Sequence, residues 1–167
     1  QHVEQPLAGR LVGKIIADAG LITFVALVTL VVGFLVGFRV SGSAAGLVFA
    51  QVLMVPYALT VACLFTLLGL VAGSGQAAQG LSILAVPFSF ISSAFVPIST
   101  MPQVLQWVAD WQPLTFMVNS WRGLMLGDDM TATFDHSLGF YILGSLIWCA
   151  VLAVAGLALA LRAYRKE

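Results

Sequence analysis

The stretch from Pro87 to Gly127 reads PFSFISSAFVPISTMPQVLQWVADWQPLTFMVNSWRGLMLG and interrupts a long apolar sequence with two short segments of helical period. The first segment carries apolar side chains at spacings of three and four residues: Val104, Trp107, Val108 and Trp111. The second segment begins after Pro113 and carries a polar stripe at similar spacing: Thr115, Asn119 and Arg122. Such spacing is typical of amphipathic helices. Each helix would have about three turns, fewer than the roughly 20 residues that cross a bilayer, so the pattern predicts a re-entrant pair.

The composition indicates a membrane protein. Of the 167 residues, 60% are hydrophobic and 8% are charged, whereas about 25% of residues are charged in a soluble domain. The mean hydropathy is +1.04, and no charged residue lies between Arg39 and Asp110. The sequence therefore predicts an integral membrane protein of the all-α class.

Four apolar segments are long enough to be transmembrane helices. They are predicted at residues 19–38, 44–72, 81–96 and 138–161. The predicted fold has four transmembrane helices and a short extracellular re-entrant hairpin, residues 99–127, between the third and the fourth. The predicted division of the chain is a cytoplasmic lead (1–13), one transmembrane domain (14–162) and a cytoplasmic tail (163–167).

The distribution of basic residues predicts the orientation. With four spans, five of the seven basic residues fall on one side of the membrane: Arg10, Lys14, Arg162, Arg165 and Lys166. Only Arg39 and Arg122 fall on the other side. Because basic residues concentrate on the cytoplasmic side, both termini are expected in the cytoplasm of a multi-pass plasma-membrane protein.

The strings FVPISTMPQVLQWVADWQPLT and VNSWRGLMLG resemble the signature segment of type-2 ABC export permeases of the daunorubicin/doxorubicin-resistance kind. The resemblance implies export of hydrophobic drug-like or lipid-like molecules, with the hairpin closing the outer end of the path. It also implies that the chain is the C-terminal portion of a six-span subunit. The implied partners are a separate ABC ATPase, which would hold ATP and Mg, and a second identical or similar permease; no cofactor of this chain and no nucleic acid are implied.

Polar side chains inside the predicted spans are candidates for a substrate path, since such groups face other helices or a cavity. Aromatic side chains there are candidates because they offer large apolar faces to a hydrophobic substrate. The candidates are Gln51, Phe88, Phe90, Ser92, Ser93 and Phe95. The alternative is that they only pack helices together. The resemblance assigns an extracellular lid to four residues: Trp107, Asp110, Trp111 and Arg122. Within it, Arg122 is expected to pair with Asp110, or alternatively to contact lipid headgroups.

The segment PLAGRLVGKIIAD resembles the family's cytoplasmic loop that docks on the ATPase, which makes Arg10 and Lys14 candidates for coupling. A solvated lead before the membrane is the alternative. The sequence has no G-x-x-x-x-G-K-[ST] loop, H-E-x-x-H, C-x-x-C or G-x-S-x-G, so neither an ATPase, a metal site nor another enzyme is predicted. The predicted spans also lack ionisable residues, which disfavours a proton-driven carrier. A non-transporting membrane scaffold and a polysaccharide exporter remain as alternative functions.

Overall fold

The computed structural model describes residues 7–71, 76, 79–80, 83, 85–95 and 98–164. The elements in this part of the chain are all helical. They are α1 (Leu7–Val36), α2 (Ala44–Val71), α3 (Ala85–Phe90), a 3-10 turn (Ile98–Thr100), α4 (Gln103–Trp111), α5 (Pro113–Leu126), α6 (Asp128–Thr131) and α7 (Leu138–Tyr164). Three helices of the described residues are long and apolar enough to cross a membrane: Gly9–Val36, Ala44–Gly69 and Leu138–Gly156.

Helix α1 begins about three turns before the first predicted span, at Leu7 rather than near residue 19. The charged residues before that span are compatible with the helix because they pair along it: Lys14 Nζ lies 2.7 Å from Asp18 Oδ2, one turn away. Residues 7–13 of the predicted lead are therefore the first turns of α1. Residues 1–6 of the lead and 165–167 of the tail lie outside the described residues, and the location of both segments stays a prediction.

The third predicted span, 81–96, lies partly outside the described residues, at 81–82, 84 and 96. Within the described part the helix ends at Phe90, and residues 91–95 form turns, so the predicted helix end at Val96 is wrong. Serine side chains explain the early end, because their hydroxyls compete with helical hydrogen bonding. Ser92 Oγ donates to Ser89 O at 2.6 Å and accepts from Ala94 N at 3.2 Å.

Helix α2 lies at the centre of the bundle and contacts α1, α5 and α7. Its contact with α1 is made of small side chains, Ala58 and Ala62 against Ala19, which let the two helices approach closely. Helix α7 runs in the same direction as α2, since Thr60 Oγ1 lies 3.4 Å from Cys149 O and Leu67 lies beside Gly156.

Helix α5 is one of the two short helices that the sequence predicts, and it runs antiparallel to both α2 and α7. Trp121 Nε1 donates to Ala50 O of α2 at 2.6 Å, while Ser120 Oγ lies 3.1 Å from Ser145 Oγ of α7. Further along α5, Leu124 approaches Gly46, near the start of α2. The N-terminal end of α5 therefore lies deep in the bundle and its C-terminal end lies at the start of α2.

A backbone corner joins the α1–α2 loop to the end of α5. Gly42 N–H donates to Met125 O at 2.9 Å. Gly127 ends α5 with a positive φ of 71°, a conformation that favours glycine, and its N–H donates to Gly123 O. A Cβ at Gly46 would overlap the carbonyl oxygen of Leu124. We call this the cap-side corner, and the end of the bundle that carries it the cap side.

Replacing Gly144 with Ala is expected to destabilise the protein, because the new Cβ would overlap the Phe116 ring. That ring is buried and packs against the rings of Phe140 and Tyr141, so it has little room to move. Overpacking of this kind costs about 1–3 kcal/mol, which a thermal melt in detergent would detect as a lower Tm. Gly139→Ala is the matched control on α7, since nothing lies within 4 Å of its Cβ position. Equal melting temperatures for the two variants would contradict the packing.

Candidate functional site

The first cavity, the distal cavity, has a volume of about 560 Å³ and lies between α2, α7 and the beginning of α5. Apolar side chains form most of its wall: Val61, Leu64, Leu68, Leu114, Trp148 and Leu152. Its few polar groups include Tyr57, Thr60, Gln112 and Ser145. A cavity of this size and lining is typical of sites for small apolar or amphipathic molecules.

The second cavity, the cap-side cavity, has a volume of about 530 Å³ and lies nearer the cap-side corner. Its wall mixes polar and aromatic side chains from the 93–98 segment, α5, the 130–135 segment and the start of α7: Ser93, Phe95, Asn119, Arg122, Phe134, Asp135 and Tyr141. In contrast to the distal cavity, this one contains a guanidinium and a carboxylate. Polar and charged ligand groups would therefore find partners here.

Buried, uncharged polar side chains connect the walls of the two cavities. These side chains, which we call the polar layer, are Ser93, Gln112, Thr115, Asn119, Ser120 and Ser145. Gln112 and Ser145 line the distal cavity, whereas Ser93 and Asn119 line the cap-side cavity. Of the other two, Thr115 accepts from both Gln112 and Ser93, and Ser120 bonds Ser145.

The members of the polar layer hydrogen-bond to one another across the elements that they join. Ser93 Oγ donates to Asn119 Oδ1 at 3.0 Å, and Ser93 N donates to Thr115 Oγ1 at 3.2 Å. Ser120 Oγ and Ser145 Oγ lie 3.1 Å apart, which links α5 to α7. A buried polar group without a hydrogen-bond partner lowers the stability of the fold. These bonds therefore stabilise the polar layer in its present arrangement.

Arg122 fixes the turn that follows α3. Its Nη1 donates to Ser93 O at 2.8 Å and its Nη2 donates to Ala94 O at 3.0 Å. The expected ion pair with Asp110 is therefore wrong, and among the described residues the one ion pair joins Lys14 to Asp18. The reason is geometric: Asp110 lies next to the α4–α5 junction, whereas Arg122 lies nine residues along α5 from Pro113, about 13 Å at the helical rise.

Asp110 is exposed and interacts with the connector that follows α6 rather than with Arg122. Partial burial and then the carboxylate of Asp135 raise the pKa of Asp110, against the opposing effect of His136. The carboxylates at 110 and 135 therefore lie close enough to repel each other on the cap side.

The structure brings only some of the predicted path residues to the cavities. Ser93 belongs to the polar layer and Phe95 lines the cap-side cavity, with its ring 5.0 Å from that of Phe90. Ser92 is fully buried in the turn after α3, where its hydroxyl bonds the backbone. Gln51 lines neither the distal nor the cap-side cavity, and its buried amide has no hydrogen-bond partner within the described residues. The side chain of Phe88 lies outside the described residues.

Of the predicted lid residues, Arg122 bonds the backbone of Ser93 in the polar layer, whereas Trp107 and the predicted coupling residues lie away from that layer. Helix α4 buries only Ala109, so its apolar face points away from the rest of the chain, with Trp107 75% and Trp111 56% exposed. Arg10 and Lys14 lie on exposed turns at the start of α1, far along the chain from either cavity. Their roles in a lid and in coupling stay predictions.

Several residues of the site were absent from the candidates that the sequence suggested: Tyr141, Ser145 and the buried side chains at the start of α5. The sequence feature that could have identified them is a hydroxyl or amide group inside an apolar segment. Such a group indicates a role in helix packing as readily as a role in a substrate path. The site has no groups suited to proton transfer or metal binding in the layer itself, since its members are neutral hydroxyls and amides. What such a layer can do is exchange its internal hydrogen bonds for bonds to water or to a passing ligand.

Three long apolar helices among the described residues indicate a multi-pass helical membrane protein, and its interior has two cavities linked by buried polar groups. The chain belongs to the ABC-2 transporter family: the family model described as "ABC-2 family transporter protein" matches residues 8–162. The family match confirms the resemblance to ABC export permeases that the hairpin sequence shows.

Among curated proteins, the chain is similar to the daunorubicin resistance ABC transporter permease protein DrrB1 of Streptomyces coeruleorubidus. The two are 32% identical over 164 residues, which is 96% of this chain and 53% of the relative. The chain thus spans about half the length of that relative. No solved structure matches the chain.

Arg122→Lys is expected to lower stability, because a lysine ammonium cannot present the rigid pair of donors that two neighbouring carbonyls accept. Each charge-assisted bond lost should cost about 1.5–3 kcal/mol in the free energy of unfolding. In a double-mutant cycle of Arg122→Gln with Asp110→Ala, measured by unfolding in detergent, the two effects should add, because neither variant can form the ion pair. A cycle on Ser93→Ala and Asn119→Ala, which removes a direct bond, is the positive control. A coupling above about 0.5 kcal/mol between positions 110 and 122 would reinstate the ion pair.

Asp110→Asn is expected to change how stability depends on pH. Since the folded-state pKa of Asp110 is raised, the stabilisation from its protonation is present below the unfolded pKa and is lost as pH rises through the folded pKa. The amide cannot lose a proton, so the Tm of the variant relative to the parent should increase through the carboxyl range and then level off at neutral pH. A difference in Tm that is constant from acid to neutral pH would contradict the raised pKa.

Proposed function

We propose that this chain is the transmembrane permease subunit of an ATP-driven ABC exporter, which moves hydrophobic drug-like or lipid-like molecules out of the cell. The observation that carries the proposal is the pair of cavities, one apolar and one polar, linked by an uncharged hydrogen-bonded layer. Membership of the ABC-2 family and the name of the drug-resistance relative support the same class of function.

In the proposed topology, α4 and α5 form the re-entrant hairpin between the third and fourth spans. Leu124 lies beside Gly46 at the cap side, and Pro113 is eleven residues back along α5, about 16 Å at the helical rise. Since α5 can tilt, this length is an upper limit on the depth of the junction and is well short of the hydrocarbon core, which is about 30 Å thick, so the hairpin would enter from the cap side and return to it. The cap side would then be extracellular, with both termini in the cytoplasm, as the basic residues predict.

Transport in this arrangement would proceed from the distal cavity through the polar layer to the cap-side cavity. An apolar substrate would leave the inner part of the membrane for the distal cavity, whose walls match it. Passage requires the bonds from Ser93 to Asn119 and from Ser120 to Ser145 to exchange partners, at a net cost of about 1 kcal/mol each. The layer would thus be a barrier that a modest helix movement removes.

The energy for that movement is assigned to a separate ABC ATPase, which would bind ATP and Mg. All six residues of the polar layer are neutral, so the layer offers no site at which proton binding could drive the change. The exposed start of α1, with Arg10 and Lys14, is the proposed contact for the ATPase. A second copy of this chain, or a similar permease, would complete the transporter.

The two alternatives differ from the proposal in what the cavities should do. A polysaccharide exporter needs a path lined by polar groups, which the largely apolar wall of the distal cavity does not offer. In a non-transporting scaffold, the cavities are packing defects, and filling one would leave any efflux unchanged.

Filling the distal cavity is therefore expected to abolish drug efflux. Val61→Trp places an indole in the cavity, whereas Leu59→Trp, two residues away on the exposed side of α2, is the matched control. Both variants would be produced with the cognate ATPase in cells loaded with a panel of fluorescent hydrophobic drugs, and efflux would be followed with time. We expect a loss of about tenfold or more with Val61→Trp and a parental rate with Leu59→Trp, since a clash that costs about 1.4 kcal/mol changes binding tenfold.

The assay also separates the alternatives. Equal efflux by both variants would remove the distal cavity from the path. If the parent exported none of the drugs and deletion of its gene removed a surface polysaccharide, polysaccharide would replace hydrophobic drugs as the proposed cargo. Unchanged membrane levels of each variant, measured by immunoblot, ensure that the comparison concerns transport rather than insertion.

A further inference from the structure

A third cavity is an open groove on the outside of the bundle, with a volume of about 550 Å³. One wall is α1, with Ala26 and Gly33, and the other is α5, with Val118, Trp121 and Met125. Nearly all of its lining is apolar, and Thr29 on its rim is exposed to the surroundings of the bundle. The groove lies apart from the distal cavity and the polar layer.

The length of the groove matches one leaflet of a bilayer. It extends from Phe38 and Leu126 at the cap side to Ala26, ten residues before the end of α1 at Val36. At the helical rise this is about 15 Å, and the hydrocarbon core is about 30 Å thick across both leaflets. Its walls are almost entirely apolar, so a groove of this length suits one acyl chain of a lipid.

The polar ends of the groove favour an anionic headgroup. Arg122 lies along its wall two residues before Leu124, close to the cap-side end, and only two of its five N–H donors are used by carbonyls of the described residues. Arg39, which is exposed, directly follows Phe38 at the mouth of the groove. Guanidinium groups bind phosphate oxygens with strong charge-assisted hydrogen bonds. Trp121 turns its N–H inward to Ala50 O, so its ring is left as an apolar wall.

We infer that the groove between α1 and α5 binds one anionic glycerophospholipid of the cap-side leaflet. One acyl chain lies along Trp121, and the phosphate lies at the mouth near Arg122 and Arg39. This lipid is a resident of the protein rather than its cargo, because the groove shares no lining residue with the distal cavity, where the proposed path begins.

Quenching of Trp121 by brominated lipid tests this site. The full chain, with Trp107, Trp111 and Trp148 changed to Phe, would be placed in phosphatidylcholine nanodiscs. A minor fraction of the lipid would be either phosphatidylglycerol or phosphatidylcholine brominated midway along one chain. We expect phosphatidylglycerol to quench Trp121 with up to about fivefold higher apparent affinity, which is the factor that a surface ion pair supplies. Arg39→Gln should reduce this preference.

A matched pair of substitutions on α1 identifies the groove itself. Ala26→Phe fills the groove and should remove the preferential quenching, whereas Val28→Phe, exposed and outside the lining, should leave it intact. Equal quenching by the two brominated lipids in the parent, or equal effects of the two substitutions, would show only ordinary boundary lipid and overturn the inference.

Native mass spectrometry of the unsubstituted chain, released from membranes that contain phosphatidylglycerol, gives a second measurement that does not depend on the tryptophan variants. One retained phosphatidylglycerol per subunit, lost in Arg39→Gln, supports the site. Equal retention of phosphatidylglycerol and phosphatidylcholine, with the same retention by Arg39→Gln as by the parent, overturns the inferred lipid site.

Discussion

The backbone groups of the turn after α3 need hydrogen-bond partners, because a helix that stops among apolar side chains leaves its polar atoms unsatisfied. Helix α5 supplies those partners from one stripe. Thr115 accepts from Ser93 N, Asn119 accepts from the Ser93 hydroxyl, and Arg122 donates to the carbonyls of Ser93 and Ala94. Because the side of α5 that carries Thr115, Asn119 and Arg122 faces the turn after α3, its other sides pack against α2 and α7. The position of α5 in the bundle is thus a consequence of where the third helix breaks.

The division of the interior into two cavities follows from the same arrangement. The stripe on α5 lies level with Ser145 of α7, so hydroxyl and amide groups from three elements meet in one layer. Beyond the layer, α5 begins with Pro113 and Leu114, which close an apolar space between α2 and α7. On the cap side, Arg122 and Asp135 give the other space its charged groups. One helix with a polar stripe and apolar remaining faces therefore produces two chemically different compartments.

Sequence patterns predicted where the helices of this fold lie along the chain, but they predicted the contacts between those helices less well. Long apolar runs located α2 and α7 within three residues at each end, and helical spacing located α4 and α5. The start of α1 was missed because charged residues before a span look like a boundary, although Lys14 and Asp18 pair along the helix. The partner of Arg122 was also missed, since a guanidinium in a sequence suggests a carboxylate and carries no sign of two backbone carbonyls. Ser93 was found because hydroxyls are scarce in spans, whereas Ser145 looked like any small residue of a helix.

The cap-side corner has a mechanical consequence. A hydrogen bond from Gly42 to Met125, and the close approach of Gly46 to Leu124, join two stretches of backbone rather than two flexible side chains. Near its other end, α5 is joined to its neighbours through side chains, since Thr115 accepts from Ser93 N and Phe116 packs beside Gly144. The corner therefore couples α5 to α2 and to the α1–α2 loop through backbone atoms, whereas the contacts at the other end of α5 can change by rotation of side chains. A tilt of α2 would carry the cap-side end of α5 with it and would leave the adjustment to the side chains of the polar layer.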